Sequence, residues 1–218
     1  MPEVTDRQFQ SLRQMAEQIR GLPSLPVSSL PANAVLVVVD MTQGFARQGA
    51  LQSPRVAGVI PPIADLARAF AARQMPVLHL TDAHPENAVE FMTYPPHCIA
   101  GTSEAEIVDE LKAIEGYLQI PKLSTNGYLE PAFQAFLTQH PEATTWVVTG
   151  DCTDICVLQF TTTLKAHFNR LNVPARVIVP VNAVETFDLP THDGDLMHLV
   201  SFFTMMAGGV EVVGSITL

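Results

Sequence analysis

Three kinds of residue in this chain could do chemistry: a cysteine behind a glycine turn, charged groups that close apolar runs, and a loop rich in imidazole and carboxylate. The stretch Val147-Val148-Thr149-Gly150-Asp151-Cys152-Thr153-Asp154-Ile155-Cys156-Val157 carries a β-branched run into a glycine turn and sets Cys156 in the first turn of an expected helix. Thr153 or Asp154 can cap that start, and the positive end of the helix macrodipole favours thiolate over thiol. Cys156 is therefore a candidate nucleophile, and a nucleophile needs a base and an orienting charge.

Asp40 closes the run Ala34-Val35-Leu36-Val37-Val38-Val39, and Lys122 closes Gly116-Tyr117-Leu118-Gln119-Ile120-Pro121. If these runs are parallel strands, Asp40, Lys122 and Cys156 meet at the carboxyl edge of one sheet, where open α/β folds gather their ligands. An aspartate can take the thiol proton, a lysine can hold carboxylate and thiolate by charge, and the thiolate can attack an acyl carbon. The segment from Asp82-Ala83-His84 through Glu90 to Tyr94-Pro95-Pro96-His97-Cys98 is rich in metal-ligand types. Asp82 and His84 are two apart, so on an extended strand end their side chains point the same way. Two imidazoles with carboxylates suit Zn²⁺ or a similar first-row ion with an open position; the alternative is a pair of solvated loop histidines.

These groups must be positioned by regular elements. Helical spacing of Phe9, Leu12, Met15, Ala16 and Ile19 predicts an amphipathic helix over 5–20. Residues 21–33, rich in proline and serine, read as an extended arm without a regular element, free to dock on its own domain or on a neighbouring subunit. Residues 1–33 thus form a leading helix and arm, and 34–218 the main domain. Within that domain the pattern predicts strands over 34–40, 76–82, 116–122, 145–149, 176–180 and 210–213. Helices are expected over 56–73, from Ser103 to Glu115, over 130–140, beyond Cys156, and from Pro190 to Met206. Apolar strand, helix, apolar strand is the βαβ grammar of a doubly wound parallel sheet.

The chain has 218 residues, 47% of them hydrophobic and 16% charged, enough for one compact domain. A net charge of -10 argues against nucleic acid and anionic membrane surfaces as partners and favours a small neutral or cationic ligand. Three cysteines and an acidic opening, Met1 to Asp6, read as no disulfide framework and no secretory leader, so a reducing cytoplasm is expected. No apolar window is long enough to cross a membrane.

Taken together, Val39-Asp40, Lys122 and the Thr149 to Val157 motif resemble the isochorismatase-like cysteine hydrolases over roughly residues 34–213. The resemblance implies a three-layer α/β sandwich, a mostly parallel sheet of about five or six strands between helices, with a catalytic Asp40, Lys122, Cys156 triad. Asp82-Ala83-His84 with Tyr94 to Cys98 is similar to the metal-binding pattern of the nicotinamidase branch. That likeness implies Asp82, His84 and His97 as ligands, Glu90 as a further carboxylate, and a divalent ion, Zn²⁺ first with Mn²⁺ or Fe²⁺ as alternatives, holding the pyridine nitrogen of nicotinamide.

The family further implies a non-proline cis peptide at Asp151-Cys152, an oxyanion hole from the N–H groups of Cys152 and Cys156, and aromatic walls from Phe45 and Tyr94. The expected reaction is conversion of nicotinamide to nicotinate and ammonia through a thioester. An assembly of like subunits is expected, with the arm as one route to it. Two rival readings stay open: a metal-independent cysteine hydrolase of another small amide or carbamoyl compound, and a catalytically silent ligand-binding scaffold.

Overall fold

The computed structural model describes residues 5–218; Met1 to Val4, part of the opening read above for a leader, lie outside the described residues. The β-branched runs become strands because they are buried on both faces. Strands β2 (Val35–Val39), β3 (Val77–Asp82) and β5 (Thr145–Asp151) are buried along their whole length. With β4 (Leu118–Lys122), β6 (Arg176–Pro180) and β8 (Glu211–Val213) they form a sheet of order β4-β3-β2-β5-β6-β8, and the two-residue β7 (Val184–Glu185) pairs beside the end of β5. The total is seven strands, one more than the expected five or six. The extra one is too short to leave a hydrophobic period in the sequence. Every pairing in the sheet is parallel.

Helices cover both faces, so the architecture is the expected three-layer sandwich. On one side pack α2 (Gln43–Ala46), α3 (Pro54–Gly58), α4 (Ile60–Ala72) and α5 (Asp109–Lys112), against Leu36, Val38, Val147 and Ile178. On the other pack α6 (Pro131–Gln139), α7 (Leu158–Arg170) and α8 (Gly194–Ala207), against Val35, Val37, Trp146, Val148 and Val177. Neighbouring residues of one strand thus serve opposite cores, the period of two that a strand dictates.

Four expectations need correction. The arm does hold a regular element: after α1 (Asp6–Arg20), β1 (Ser24–Pro26) pairs in parallel with the C-terminal β9 (Ser215–Thr217), a two-stranded edge on which prolines are tolerated. Helix α1 packs on α8 and buries Ile19, so the arm docks on its own chain. The helix expected over 56–73 is two, split at Val59, because Pro61 and Pro62 lack the N–H groups a continuing helix would use and fit only a new first turn.

The helix expected from Ser103 to Glu115 reduces to a 3-10 turn, Ser103–Ala105, and the short α5. Between them the main chain is extended: the Gln43 N–H donates to the Glu106 carbonyl at 2.8 Å, and the Val108 N–H to that of Met41 at 3.1 Å. Backbone pairing with the turn after β2, and burial of Ile107 and Val108, outweigh local helical preference. The last helix starts at Gly194 rather than Pro190, because Asp193 caps it through the Leu196 N–H and residues 189–192 close a turn of their own.

Candidate active site

Asp40 ends β2 with a φ of 53°, a left-handed conformation that aspartate tolerates better than bulkier residues. Its Oδ1 accepts the Asp82 N–H at 2.9 Å, tying the ends of β2 and β3 together. Beneath this crossing Gly150 (φ 106°) presses on β2: a Cβ there would lie 1.9 Å from the Val39 carbonyl oxygen, so no side chain fits. The β3–β4 register sets Lys122 beside Asp82.

Lys122 is wholly buried. Its Nζ stands 2.8 Å from Asp40 Oδ2, 2.5 Å from Asp82 Oδ1, 3.7 Å from Cys156 Sγ and 3.2 Å from the Ser124 carbonyl. Asp40 Oδ2 is the oxygen in that ion pair, and the same carboxylate lies beside the thiol. The three groups read from strand ends thus converge.

Their acidities follow from burial and pairing. Burial and the nearby Asp82 charge push Asp40 up to about 7, against the pull of Lys122. Burial works to raise Asp82 too, but the ammonium of Lys122 and contacts from His84 and His97 hold it below the ordinary carboxylate range. Burial alone would discharge Lys122, yet Asp40 and Asp82 keep it charged.

Burial raises Cys156 well above an ordinary cysteine, against the pull expected of a helix start, and Lys122 offsets this only in part. No side chain caps the turn, either. Its N-cap is Cys152, and residues Thr153–Val157 form one π-helical turn running into α7. Asp154 instead accepts from the Thr186 hydroxyl at 2.6 Å and pairs with His192 at 2.8 Å, while Thr153 Oγ1 is unpartnered. The Cys152 carbonyl accepts the N–H groups of Ile155 and Val157, both at 3.1 Å, and the Asp151-Cys152 peptide is cis.

Next to the triad, Asp82, His84, Glu90 and His97 each offer an atom within 4.8 Å of the others. His97 Nδ1 lies 2.8 Å from the Pro95 carbonyl, which can only accept, so that nitrogen donates, and Nε2 faces Asp82 Oδ2 at 3.4 Å. His84 is fully buried and neither ring nitrogen has a hydrogen-bond partner, although Nε2 is 3.4 Å from Asp82 Oδ1. An orphaned buried polar group costs about 1–3 kcal/mol, and a cation is the partner such a site lacks. Two imidazoles with two carboxylates fit a first-row divalent ion.

Both sets open on one cavity of about 510 Å³, lined among others by Asp40, Phe45, Asp82, Glu90, Tyr94, His97, Cys152 and Cys156. The Phe45 and Tyr94 rings stand 5.5 and 6.2 Å from that of His97. Asp40, Lys122, Cys156, Cys152, Asp82, His84, Glu90, His97, Phe45 and Tyr94 each stand at this cavity or in direct contact with a residue that does.

Sequence reasoning missed other groups. Asp151 is buried with Oδ1 unpartnered, and burial with the Asp40 charge raises it well above the ordinary carboxylate range. His192 stacks on Phe187 with centroids 4.0 Å apart, and Arg55 reaches Glu185, Asp188 and Asp195 from α3. Arg55 and Glu185 are 130 residues apart, and no local pattern pairs them. Asp154 was legible as a polar residue after the strand, but its partners were not.

The sequence profile of the isochorismatase domain matches residues 34–209. Nicotinamidase 1 of Arabidopsis thaliana is 31% identical over 210 residues, covering 84% of this chain and 86% of that protein. Nicotinamidase/pyrazinamidase PncA from Bacillus subtilis superposes with a TM-score of 0.70 at 22% identity, covering 83% of this chain and 99% of that one. The pyrazinamidase of Pyrococcus horikoshii in complex with zinc gives 0.68 at 24% identity, over 83% and 98%.

Proposed function

This chain belongs to the isochorismatase family and is an amide hydrolase, and from that premise we propose that it is a metal-dependent nicotinamidase, converting nicotinamide to nicotinate and ammonia. One observation carries the reading: a buried Asp82, His84, Glu90 and His97 cluster shares its cavity with an acid, an amine and a thiol within contact distance. The likeness to Nicotinamidase 1 supports it. Asp82, His84, His97 and Glu90 would hold the divalent ion, with zinc favoured by the P. horikoshii relative. Bound there, the ion supplies a Lewis-acid anchor for a pyridine nitrogen.

The chain's own groups would do the rest. Asp40, near neutrality in acidity, takes the Cys156 proton as the sulfur attacks the amide carbon. Lys122 stabilises the thiolate. The N–H groups of Cys152 and Cys156 receive the developing oxyanion, where losing one donor typically costs about 10²–10³ in rate. Asp40 returns its proton to the departing ammonia, then deprotonates the water that opens the thioester to nicotinate. Phe45 and Tyr94 wall the ring. Three unpaired cysteines support a reducing, cytoplasmic setting, and we extend the proposal to a homo-oligomer.

The test is nicotinate and ammonia release from nicotinamide before chelation, after it, and after Zn²⁺ is restored. Loss on chelation and recovery with metal is the expected result. Full activity in the chelated protein would overturn the metal dependence and leave a metal-independent amidase, and no release under any condition would refute the reading.

A further inference from the structure

We infer, on the reading that Asp82, His84, Glu90 and His97 hold a divalent ion, that Lys122 limits how tightly the ion is bound: its ammonium shares Asp82 with the ligand cluster and repels the cation. Asp82 is the joint between the two sets. Its Oδ1 lies 2.5 Å from Lys122 Nζ and 3.4 Å from His84 Nε2, while Oδ2 lies 3.4 Å from His97 Nε2. One carboxylate therefore balances an ammonium and serves as a ligand, and the charge it lends to the first is not fully available to the second.

The lysine has no route out of this arrangement. Parallel pairing of β3 with β4 sets Asp82 opposite Lys122, and their side chains are 2 and 0% exposed. Nζ also meets Asp40 Oδ2 at 2.8 Å and the Ser124 carbonyl at 3.2 Å, so turning away would strand a buried ammonium. Water screens charges little at this depth, and like charges a few ångströms apart repel several times more strongly than they do in bulk water. Asp40 acts in the opposite sense, because it neutralises part of the ammonium without belonging to the ligand cluster. Lys122 and Asp40 thus tune the metal from outside its ligand set. Partners of this kind commonly change metal affinity about 10- to 100-fold, and a buried full charge belongs at the top of that range. The same ammonium keeps Asp82 from standing uncompensated when no ion is bound, so a stable metal-free chain and a weaker grip on the ion have one cause.

The experiment strips the full-length protein with a chelator and measures its Zn²⁺ affinity at pH 8 by competition with a chromophoric chelator. Wild type is compared with Lys122→Met, Asp40→Asn and His84→Ala, each checked for folding by circular dichroism. Lys122→Met should bind Zn²⁺ about 100-fold more tightly than wild type. Asp40→Asn, which leaves the ammonium to Asp82 alone, should bind it about tenfold more weakly. His84→Ala should lose most of the affinity and so locate the ion in the cluster. The direction of the Lys122→Met change separates charge from packing, since damage to the site loosens a metal and only relief of repulsion tightens it.

Wild-type or weaker affinity in folded Lys122→Met would overturn the role of Lys122, and if that variant does not fold, unchanged or tighter binding in Asp40→Asn would do so. Either result, with Zn²⁺ binding in wild type and its loss in His84→Ala, leaves the metal site itself intact. Wild-type protein that binds no Zn²⁺, or binds it as well in His84→Ala, would remove the metal site and the role of Lys122 together.

Discussion

Two clusters of opposite charge stand on the same edge of the sheet with similar spacing, and they differ in solvent. Lys122 meets Asp40 and Asp82 at 2.8 and 2.5 Å with side chains 0, 1 and 2% exposed. Arg55 meets Glu185, Asp188 and Asp195 at 2.7 to 3.2 Å, but Asp188 and Asp195 are 58 and 88% exposed. In the buried cluster, desolvation and unequal pairing drive two carboxylates apart, Asp40 up to about 7 and Asp82 below its usual range. In the exposed one, water screens the charges, and the contacts chiefly fix where α3 and the segment after β7 sit. Distance alone therefore does not identify the reactive cluster; burial does.

The largest effect should come from the reacting atom of the buried cluster. Cys156→Ala is expected to lower turnover by about 10⁴-fold or more with the fold intact by circular dichroism, since loss of a nucleophile removes the chemical route itself. Wild-type ammonia release from that variant would break the comparison outright. Lys122→Met comes next. It leaves Asp40 and Asp82 buried without compensation, and urea unfolding of the chelated protein should record a loss of about 3–5 kcal/mol. A loss below about 1 kcal/mol would mean that the buried cluster behaves like the rim.

His79 tests burial without a charged partner. It lies on β3 at 1% exposure with Nδ1 unbonded, and burial lowers it to about 4. Because its pKa is depressed on folding, the unfolded chain binds the extra proton between pH 6.5 and 4. The stabilisation is present above about 6.5 and is lost as pH falls toward 4. His79→Gln should abolish a contribution of about 2 kcal/mol to the stability lost between pH 7 and pH 5. Identical pH dependence in the variant would show that burial alone does not set this residue. The smallest effect is expected at the rim, where Asp195→Asn should change stability by less than about 1 kcal/mol, and by less still in high salt.

Much of this was legible in the residues. Continuous β-branched runs named the longer strands, and the acid or lysine closing three of them marked Asp40, Asp82 and Lys122. What escaped were features whose partners are distant in sequence. Asp154 has the type of a helix cap, yet it turns to Thr186 and His192. Residues 103–115 have helical composition, yet pairing with Met41 and Gln43 extends them. Pro23 and Pro26 argue against a strand until the C-terminal segment supplies an edge for it.

By itself the sequence determined the six longer strands of the main sheet, the order in which the reactive groups follow, and that the chain is an α/β protein, because periodicity and side-chain volume act over a few residues. Only the tertiary structure decided that Asp82 serves Lys122 as well as the imidazoles, that burial works against the Cys156 thiolate, and that Arg55 is already bound. Those outcomes depend on desolvation and on through-space charge, and both exist only once segments far apart in sequence have excluded water from between them.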